Sequence, residues 1–200
     1  MATIGNAPVF PTQSVLPGNL QVTGNATISG SSATVNGNEV RTVGTSGAIL
    51  QVVSVASETE TTVSSTSYTD IGLSASITPS SSTNKVLVLV SAVGRWTNSS
   101  SSNTGGGSRI LRDSTAIHTA QQNSGSTPLE ERFQFNGSTT GLFWTRLNVH
   151  VLDSPASTSS LTYKVQAAMH TTTGSGNVTF QQNSSISNST SYITLMELVA

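Results

Sequence analysis

The stretch KVLVLVSAV, residues Lys85 to Val93, decides the fold class of this 200-residue chain. It is rich in aliphatic and β-branched residues, which suit a pleated sheet. Apolar side chains occupy both alternating sets of positions, and this pattern is typical of a strand at the buried centre of a sheet. We therefore predict that Lys85 to Val93 forms a central, buried β-strand.

Segments with strict alternation follow and precede this stretch. Residues 161–170 place Leu161, Tyr163, Val165, Ala167 and Met169 on one face of a strand. Asp113-Ser114 is a hairpin turn signal, and the sequence Asn136 to Thr139 is a second turn. Further strands are predicted at Ala48–Val55, Val63–Thr69, Gly72–Ile77, Ser108–Arg112, Thr115–His118, Arg132–Phe135, Leu142–Leu152, Gly176–Gln181 and Ser191–Val199.

Roughly eight to ten short strands with turns between them, and no helical period, predict an antiparallel β-sandwich of the jelly-roll type. We assign it to residues 48–200. Two segments rich in Ser, Asn and Gly, Thr97–Gly107 and Ala120–Pro128, are predicted to be exposed loop tips.

The composition excludes several classes of function. Charged residues make up only 8% of the chain and the net charge is -1, so no basic field is available to bind nucleic acid. With no cysteine, disulfides and thiolate metal sites are impossible. The longest apolar run is too short to span a bilayer, and the N-terminus lacks a signal-peptide pattern, so we expect cytoplasmic synthesis and no membrane association. Low net charge also removes the repulsion that keeps copies apart, which favours assembly.

Residues 1–17 have the composition of an extended arm. Three prolines in this segment forbid a regular helix. The apolar side chains between them have no core of their own to enter, and we predict that they dock on a partner chain; the alternative is a frayed terminus. The predicted anchor residues are Val9, Phe10, Val15 and Leu16.

Residues 18–47 contain a short repeat, GNLQVT followed by GNATIS and two looser copies. Each unit has a glycine turn and then apolar residues two positions apart, on one face of a short strand. Strands this short cannot close a core within one chain, so we predict a trimeric β-prism or β-helix stalk. The alternative is a β-meander packed on the main domain. The residues predicted to face the trimer axis are Leu20, Val22, Ile28 and Val35.

No arrangement of residues predicts catalysis, a cofactor or a metal ion. The histidines His118, His150 and His170 lack the short spacing of a zinc site, and no Gly-x-Ser-x-Gly motif occurs. Glycan hydrolysis requires two carboxylates a few ångströms apart. The candidate acids are Asp70, Glu130, Glu131 and Asp153, and we predict that they are not catalytic.

The two tryptophans are candidates for a different role. Trp96 lies at a predicted strand end, before a polar loop, where it could contact a receptor such as a host-surface glycan. Trp144 lies in the middle of a predicted strand, and we expect it in the core or at a subunit interface.

The repeat GNLQVTGNATISG, residues 18–30, resembles the stalk repeats of tailed-bacteriophage fibres and spikes. The region from ILQVV at residues 49–53, through YTDIGL at 68–73 and ITP at 77–79, to KVLV at 85–88 resembles a virion-protein domain of phages, including those of cyanobacteria. The resemblance implies a homotrimer with an N-terminal virion anchor, a short stalk and a jelly-roll knob, and it supplies no catalytic residue.

Two positions on the virion exterior are open to such a protein. The first is the head, as a trimeric capsid decoration (cement) protein or head fibre whose arm binds the major capsid protein or another virion protein. The second is a short tail fibre or spike that binds a host-surface receptor with Trp96 and the loop 97–107 at its tip. A third expectation, a glycan-degrading spike enzyme, would need a carboxylate pair.

Overall fold

A computed structural model of the chain describes residues 34–35, 38–39, 46–98, 104–119, 133–135, 141–169, 176–183 and 188–200. The chain divides into two units, residues 1–43 and residues 44–200. In the first unit, Thr34–Val35 (β1) pairs antiparallel with Asn38–Glu39 (β2). The described residues of the second unit form strands and loops only. Nowhere in the described ranges is there a helix of the length and hydropathy that a membrane crossing requires.

Eleven strands form the second unit within the described residues, and every pairing between them is antiparallel. They are β3 (Ile49–Ser57), β4 (Thr61–Val63), β5 (Thr69–Ile77), β6 (Lys85–Asn98), β7 (Thr104–Arg112), β8 (Thr115–Thr119), β9 (Phe133–Phe135), β10 (Gly141–Asp153), β11 (Leu161–Met169), β12 (Gly176–Phe180) and β13 (Ser191–Leu198).

The 14-residue strand β6 is the spine of a six-stranded sheet. Strand β10 pairs with β6 along one edge over its whole length. The other edge of β6 is shared, because β13 pairs with its first half and β12 with its second half. Beyond them lie β3, paired with β13, and β4, paired with β12.

A second sheet of five strands has the order β5-β11-β7-β8, with β9 paired to the start of β7. Its inward side chains and those of the six-stranded sheet form one buried cluster. The second unit is therefore an antiparallel β-sandwich, as the sequence predicts. Among the large fully buried side chains are Ile71, Leu73, Ile110, Tyr163 and Val165 from one sheet and Val86, Val88, Ile193 and Leu195 from the other.

Most strand predictions are confirmed. The five residues predicted to share one face of β11 are all buried. The hairpin at Asp113-Ser114 joins β7 to β8, and Asp113 has the positive φ of 53° that such a turn requires. Strand β6 is central, as predicted, with its inner residues from Val86 to Ala92 buried. Its outer face is less buried than predicted: Leu87 and Leu89 are half-buried, because a two-layer sandwich covers only one face of each sheet.

Three predictions of local structure are wrong. The strand predicted at Val63–Thr69 is instead the short β4, which ends at Val63, followed by a loop. Strand β9 does not form a hairpin with β10, since it pairs with β7 in the opposite sheet. The segment Thr97–Gly107 was predicted to be an exposed loop, yet its two ends belong to β6 and β7. The loop predicted at Ala120–Pro128 lies outside the described residues.

Gly106 explains why a glycine-rich segment forms a strand here. A Cβ atom at this position would lie 2.6 Å from the Ala168 carbonyl oxygen and 2.6 Å from Cη2 of Trp96. Both distances are far below van der Waals contact, so only glycine allows the backbone and the indole ring to approach this closely.

A buried carboxylate, Glu197 on β13, joins three segments of the sandwich. It is fully buried and accepts hydrogen bonds from Gln51 Nε2 at 2.6 Å, from the Ser80 backbone N–H and hydroxyl at 2.7 Å each, and from Asn84 Nδ2 at 2.7 Å. Burial alone raises the pKa of Glu197, but these hydrogen bonds to the charged form outweigh burial and lower the pKa to about 2. The ionised carboxylate therefore ties β3 and the β5–β6 loop to β13.

We predict that Glu197 makes folding acid-sensitive. Because its pKa is lower in the folded chain than the ordinary value of 4.5, its stabilisation is present above pH 4.5 and is lost as the pH falls through about 2. Glu197→Gln places an amide against four donors and should lower the free energy of unfolding at pH 7 by roughly 1–3 kcal/mol. The substitution should also make the free energy of unfolding less dependent on pH between pH 4.5 and 2. Urea unfolding at several pH values measures both, with the exposed Glu60→Gln as the control.

Candidate functional site

The exposed hydrophobic side chains of the sandwich are confined to one sheet. In the described part of the chain, all eight large hydrophobic residues that are exposed lie on β3, β10 or β13 of the six-stranded sheet: Ile49, Leu50, Val52, Leu142, Phe143, Trp144, Leu152 and Tyr192. Since a soluble domain rarely exposes a contiguous apolar surface without a partner, this sheet is the candidate functional site. We call its outward side the apolar face. Phe143 is paired with Trp96, which packs on the core, and is therefore the one of the eight that does not lie on this outward side.

Strand register arranges the apolar face in rows that run across four strands. One row is aliphatic throughout and contains Val52, Met196, Leu87 and Leu152 from β3, β13, β6 and β10. Val52 and Leu152 are each 54% exposed. The next row consists of Ser54, Thr194, Leu89 and His150, and the Ser54 and Thr194 hydroxyls are hydrogen-bonded at 2.9 Å.

Charge is sparse and of one sign on the apolar face. Only two acidic residues, Asp153 and Glu197, lie on strands of the six-stranded sheet, and both are buried. The cationic residues at outward positions are Lys85, Arg95 and Arg146. Arg146 donates a hydrogen bond to the Ser91 hydroxyl at 3.0 Å. Burying this face against a partner would therefore remove few ions from water.

The outward side of the five-stranded sheet has the opposite character. Asp70 accepts hydrogen bonds from Lys164, at 3.0 Å, and from Gln166. Burial raises the pKa of Asp70, but these bonds and the charge of Lys164 outweigh burial and lower it. Arg109 donates to Gln166 at 2.8 Å and lies 4.3 Å from the centre of the Tyr68 ring. These groups satisfy one another in a charged, hydrated surface.

Two shallow depressions of the apolar face share Tyr192 in their lining. Tyr192 is 46% exposed and lines both depressions. Trp144 and Arg146 complete the first, and Asn148, His150 and Thr194 complete the second. The face therefore offers both a protruding ring and recesses that could receive a side chain of a partner.

The predicted anchor residues Val9, Phe10, Val15 and Leu16 lie outside the described residues, as do the stalk residues Leu20, Val22 and Ile28. Val35 is the last residue of β1, and its backbone is paired with that of Asn38. The apolar face is a feature that sequence analysis missed. The sequence feature that indicates this face is the pair of outward leucines in KVLVLV, Leu87 and Leu89, which were predicted to be buried.

The structure places the two tryptophans differently from expectation. Trp96 is at the end of β6, as predicted, but it is half-buried and packs on the core beside Gly106. Trp144 is 43% exposed on β10, so its placement in the core is wrong and its placement at an interface stays a prediction. Of the two indole rings, Trp144 is therefore the more exposed.

The two acidic candidates that the structure describes, Asp153 and Asp70, lie in different sheets with separate partners. Asp153 accepts hydrogen bonds from Arg112 Nη1 at 2.8 and 2.7 Å and from the Tyr163 hydroxyl at 2.7 Å. Burial lowers the pKa of Arg112, but its bonds to Asp153 outweigh burial and raise it; burial and the bond to Asp153 raise the pKa of Tyr163. Asp70 is hydrogen-bonded to Lys164 and Gln166 on the outward side of the five-stranded sheet. Glu130 and Glu131 lie outside the described residues.

Metal-ligating side chains are not grouped within the described ranges, where no cluster of three or more His, Asp or Glu residues occurs. His150 is exposed on the apolar face, opposite the buried Val149, as its alternation predicts. His118 is half-buried on β8, and His170 lies outside the described residues.

Comparison with known proteins gives no assignment: no family model matches the chain, and no curated protein matches it.

We predict that the buried and exposed aspartates differ in their contribution to stability. Asp153→Asn weakens a largely buried pair that joins the two sheets and should lower the free energy of unfolding by roughly 2–3 kcal/mol. Asp70→Asn removes the exposed ion pair with Lys164 and should lower the free energy of unfolding by less than about 1 kcal/mol. Parallel urea titrations of the two variants measure the difference. Equal losses would contradict the assignment of Asp153 as the link between the sheets.

Proposed function

We propose that the chain is a structural protein of a bacteriophage virion, a homotrimeric decoration (cement) protein or head fibre on the exterior of the capsid. The observation that carries this proposal is the uncovered apolar face of a sandwich that is otherwise poor in charge. Such a surface is stable when it is covered in an assembly. The phage-like repeat at residues 18–30 and the resemblance of residues 49–88 to a phage virion domain give the assembly its proposed class.

The strand order supports a jelly-roll fold for the sandwich. Consecutive long strands switch sheets, so that β3, β13, β6 and β10 lie together and β5, β11, β7 and β8 lie opposite. Two four-stranded layers with this interleaving fit a jelly roll, which is a frequent fold of viral capsid-associated domains. We infer a jelly-roll knob for residues 48–200, preceded by a trimeric stalk at residues 18–47.

The proposed attachment to the virion is the N-terminal arm, residues 1–17. Its apolar residues Val9, Phe10, Val15 and Leu16 would bind the major capsid protein or another virion protein. We propose no catalytic function. Asp70 and Asp153, the two described candidate acids, are each occupied by cationic or amide partners on different sheets, and this arrangement does not supply the carboxylate pair that glycan hydrolysis needs.

A second candidate is a short tail fibre or spike that binds a host-surface glycan. The observation that favours it is the depression lined by Trp144, Arg146 and Tyr192, because aromatic faces beside hydrogen-bond donors are common in sugar sites. Trp96, the original candidate for such a contact, is half-buried and is therefore a weaker choice than Trp144.

Removal of residues 1–17 tests the anchor. We expect the shortened protein to remain trimeric, because the stalk and knob are intact, and to lose binding to purified virions that lack it. Size-exclusion chromatography with light scattering measures the trimer, and co-sedimentation with particles measures binding. Undiminished co-sedimentation would contradict the anchor.

The position on the particle is tested by labelling. An antibody or gold label directed to the knob should decorate the phage head in electron micrographs if the chain is a decoration protein or head fibre. Label confined to the tail tip, together with loss of adsorption to host cells in Trp144→Ala, would replace the head assignment with the tail-fibre one. Absence of label from the whole particle would overturn both.

A further inference from the structure

We propose that the apolar face is the contact by which three copies of this chain meet, with the strands of the six-stranded sheet running along the three-fold axis. This inference rests on the proposed homotrimer and adds the surface that forms it. The five-stranded sheet, with its network of Asp70, Lys164 and Arg109, then faces outward into water.

The first argument is the distribution of exposed apolar area. All the exposed large hydrophobic residues of the described chain lie on this one sheet, and Phe143 is the one among them at an inward position, whereas the opposite sheet carries an ion pair and amide hydrogen bonds at its outward positions. Removing apolar surface from water stabilises an assembly by about 25 cal/mol per Å². The aliphatic row of Val52, Leu87, Leu152 and Met196 provides such surface across the full width of four strands.

The second argument is charge. The apolar face has no outward carboxylate on its strands, so it offers no acid to a basic partner. Of its three outward cations, Lys85 lies at one end of β6, and Arg95 and Arg146 lie in successive rows on the neighbouring strands β6 and β10 towards the other end. The outward rows between these ends, at Leu87, Leu89 and Ser91, contain no Lys, Arg, Asp or Glu, and the same rows of a second copy are equally apolar. Interfaces between identical subunits are characteristically the more apolar ones.

The third argument is the order of the rows. Each row crosses the strands at one height, so the aliphatic row, the row of Ser54, Thr194, Leu89 and His150, and the row of Ala56, Tyr192, Ser91 and Asn148 follow one another along the strand direction. Rotation about an axis parallel to the strands keeps every residue at its own height. Three copies related by such an axis therefore place each row at the height of the same row in the other two copies.

The fourth argument is the position at which the preceding chain attaches. Gly47 donates a backbone hydrogen bond to Val199 at 2.8 Å, and Val199 donates to Ala48 at 2.9 Å. The described part of the second unit therefore begins at the end of the sheet where β3 starts and β13 finishes, next to Ile49 and Leu50. A three-fold axis along the strands brings the three starting points of this unit to the same end, as the proposed common stalk requires. A two-fold axis across the strands would place them at opposite ends.

Cysteine substitution gives a direct test, since the chain contains no cysteine of its own. Thr194 on β13 and Thr162 on β11 are matched residues on opposite faces. Each is half-buried on an inner strand, and each hydroxyl is bonded at 2.9 Å to a serine of the adjoining edge strand, Ser54 or Ser76. With a short three-armed maleimide, full-length Thr194→Cys should give a covalent trimer on a denaturing gel, and Thr162→Cys should give monomer.

A charge substitution gives an independent test. Val52→Glu is tolerable in an isolated chain because Val52 is 54% exposed, but in the proposed trimer it brings three carboxylates into an apolar contact. We expect its mass by light scattering to fall from three chains to one. Ser74→Glu, on the exposed side of β5 beside Lys164, should keep the trimeric mass. Circular dichroism of both variants verifies that the sandwich is folded.

The outcomes separate this inference from the proposed function. A wild-type protein that is monomeric in solution overturns both. A trimer that persists in Val52→Glu and is not cross-linked in Thr194→Cys overturns the assignment of the apolar face and leaves the proposed trimer in place, held by residues 18–47. Cross-linking of Thr162→Cys instead would assign the contact to the five-stranded sheet. Covalent trimer in Thr194→Cys alone, with dissociation in Val52→Glu alone, supports the inference.

Discussion

A strand that is apolar on both faces needs cover on both faces, and β6 is such a strand. The inner set, Val86, Val88, Val90 and Ala92, is buried by the opposing sheet. The outer set begins with Leu87 and Leu89, for which a two-layer sandwich has no third layer. Because β6 pairs with β10, β12 and β13, its outer leucines extend into a row shared with those neighbours. The apolar face is therefore a consequence of the most hydrophobic segment in the sequence.

The outward faces of the two sheets carry different kinds of polar group. On the five-stranded sheet, outward charged side chains are hydrogen-bonded to one another and to an amide, with Asp70 at the centre of the network. On the six-stranded sheet, three outward cations and cross-strand hydroxyl pairs such as Ser54 with Thr194 supply the polarity. Hydroxyl groups lose less than ions when they leave water, so the aliphatic and hydroxyl-bearing part of this second face is the part that can be covered at low cost.

Sequence patterns predicted the parts of the fold that depend on local alternation. The buried positions of β11 and the turn at Asp113 follow from residues close together in the chain. The partners of β6 do not, because β10, β12 and β13 begin 43 or more residues after its end and share no motif with it. Glu197 alternates in phase with Ile193 and Leu195, so its position is inward, but the sequence gives no sign of the partners of its carboxylate, and only the meeting of Gln51, Ser80 and Asn84 around it explains its burial. The error at Thr97–Gly107 came from treating glycine as a loop signal when close approach to Trp96 required it.

Buried polar groups give this low-charge sandwich a unique register. Aliphatic side chains alone could slide past one another by small steps with little change in energy, since their contacts are not directional. Asp153 on one sheet can satisfy its oxygens only when Arg112 and Tyr163 of the other sheet lie within hydrogen-bond distance. A displaced sheet would leave these groups buried without partners, at a cost of about 1–3 kcal/mol for each neutral group and more for the charges. The position of the apolar rows is thus held by polar contacts on the other side of the same strands, and the proposed row-by-row contact between copies depends on that constancy.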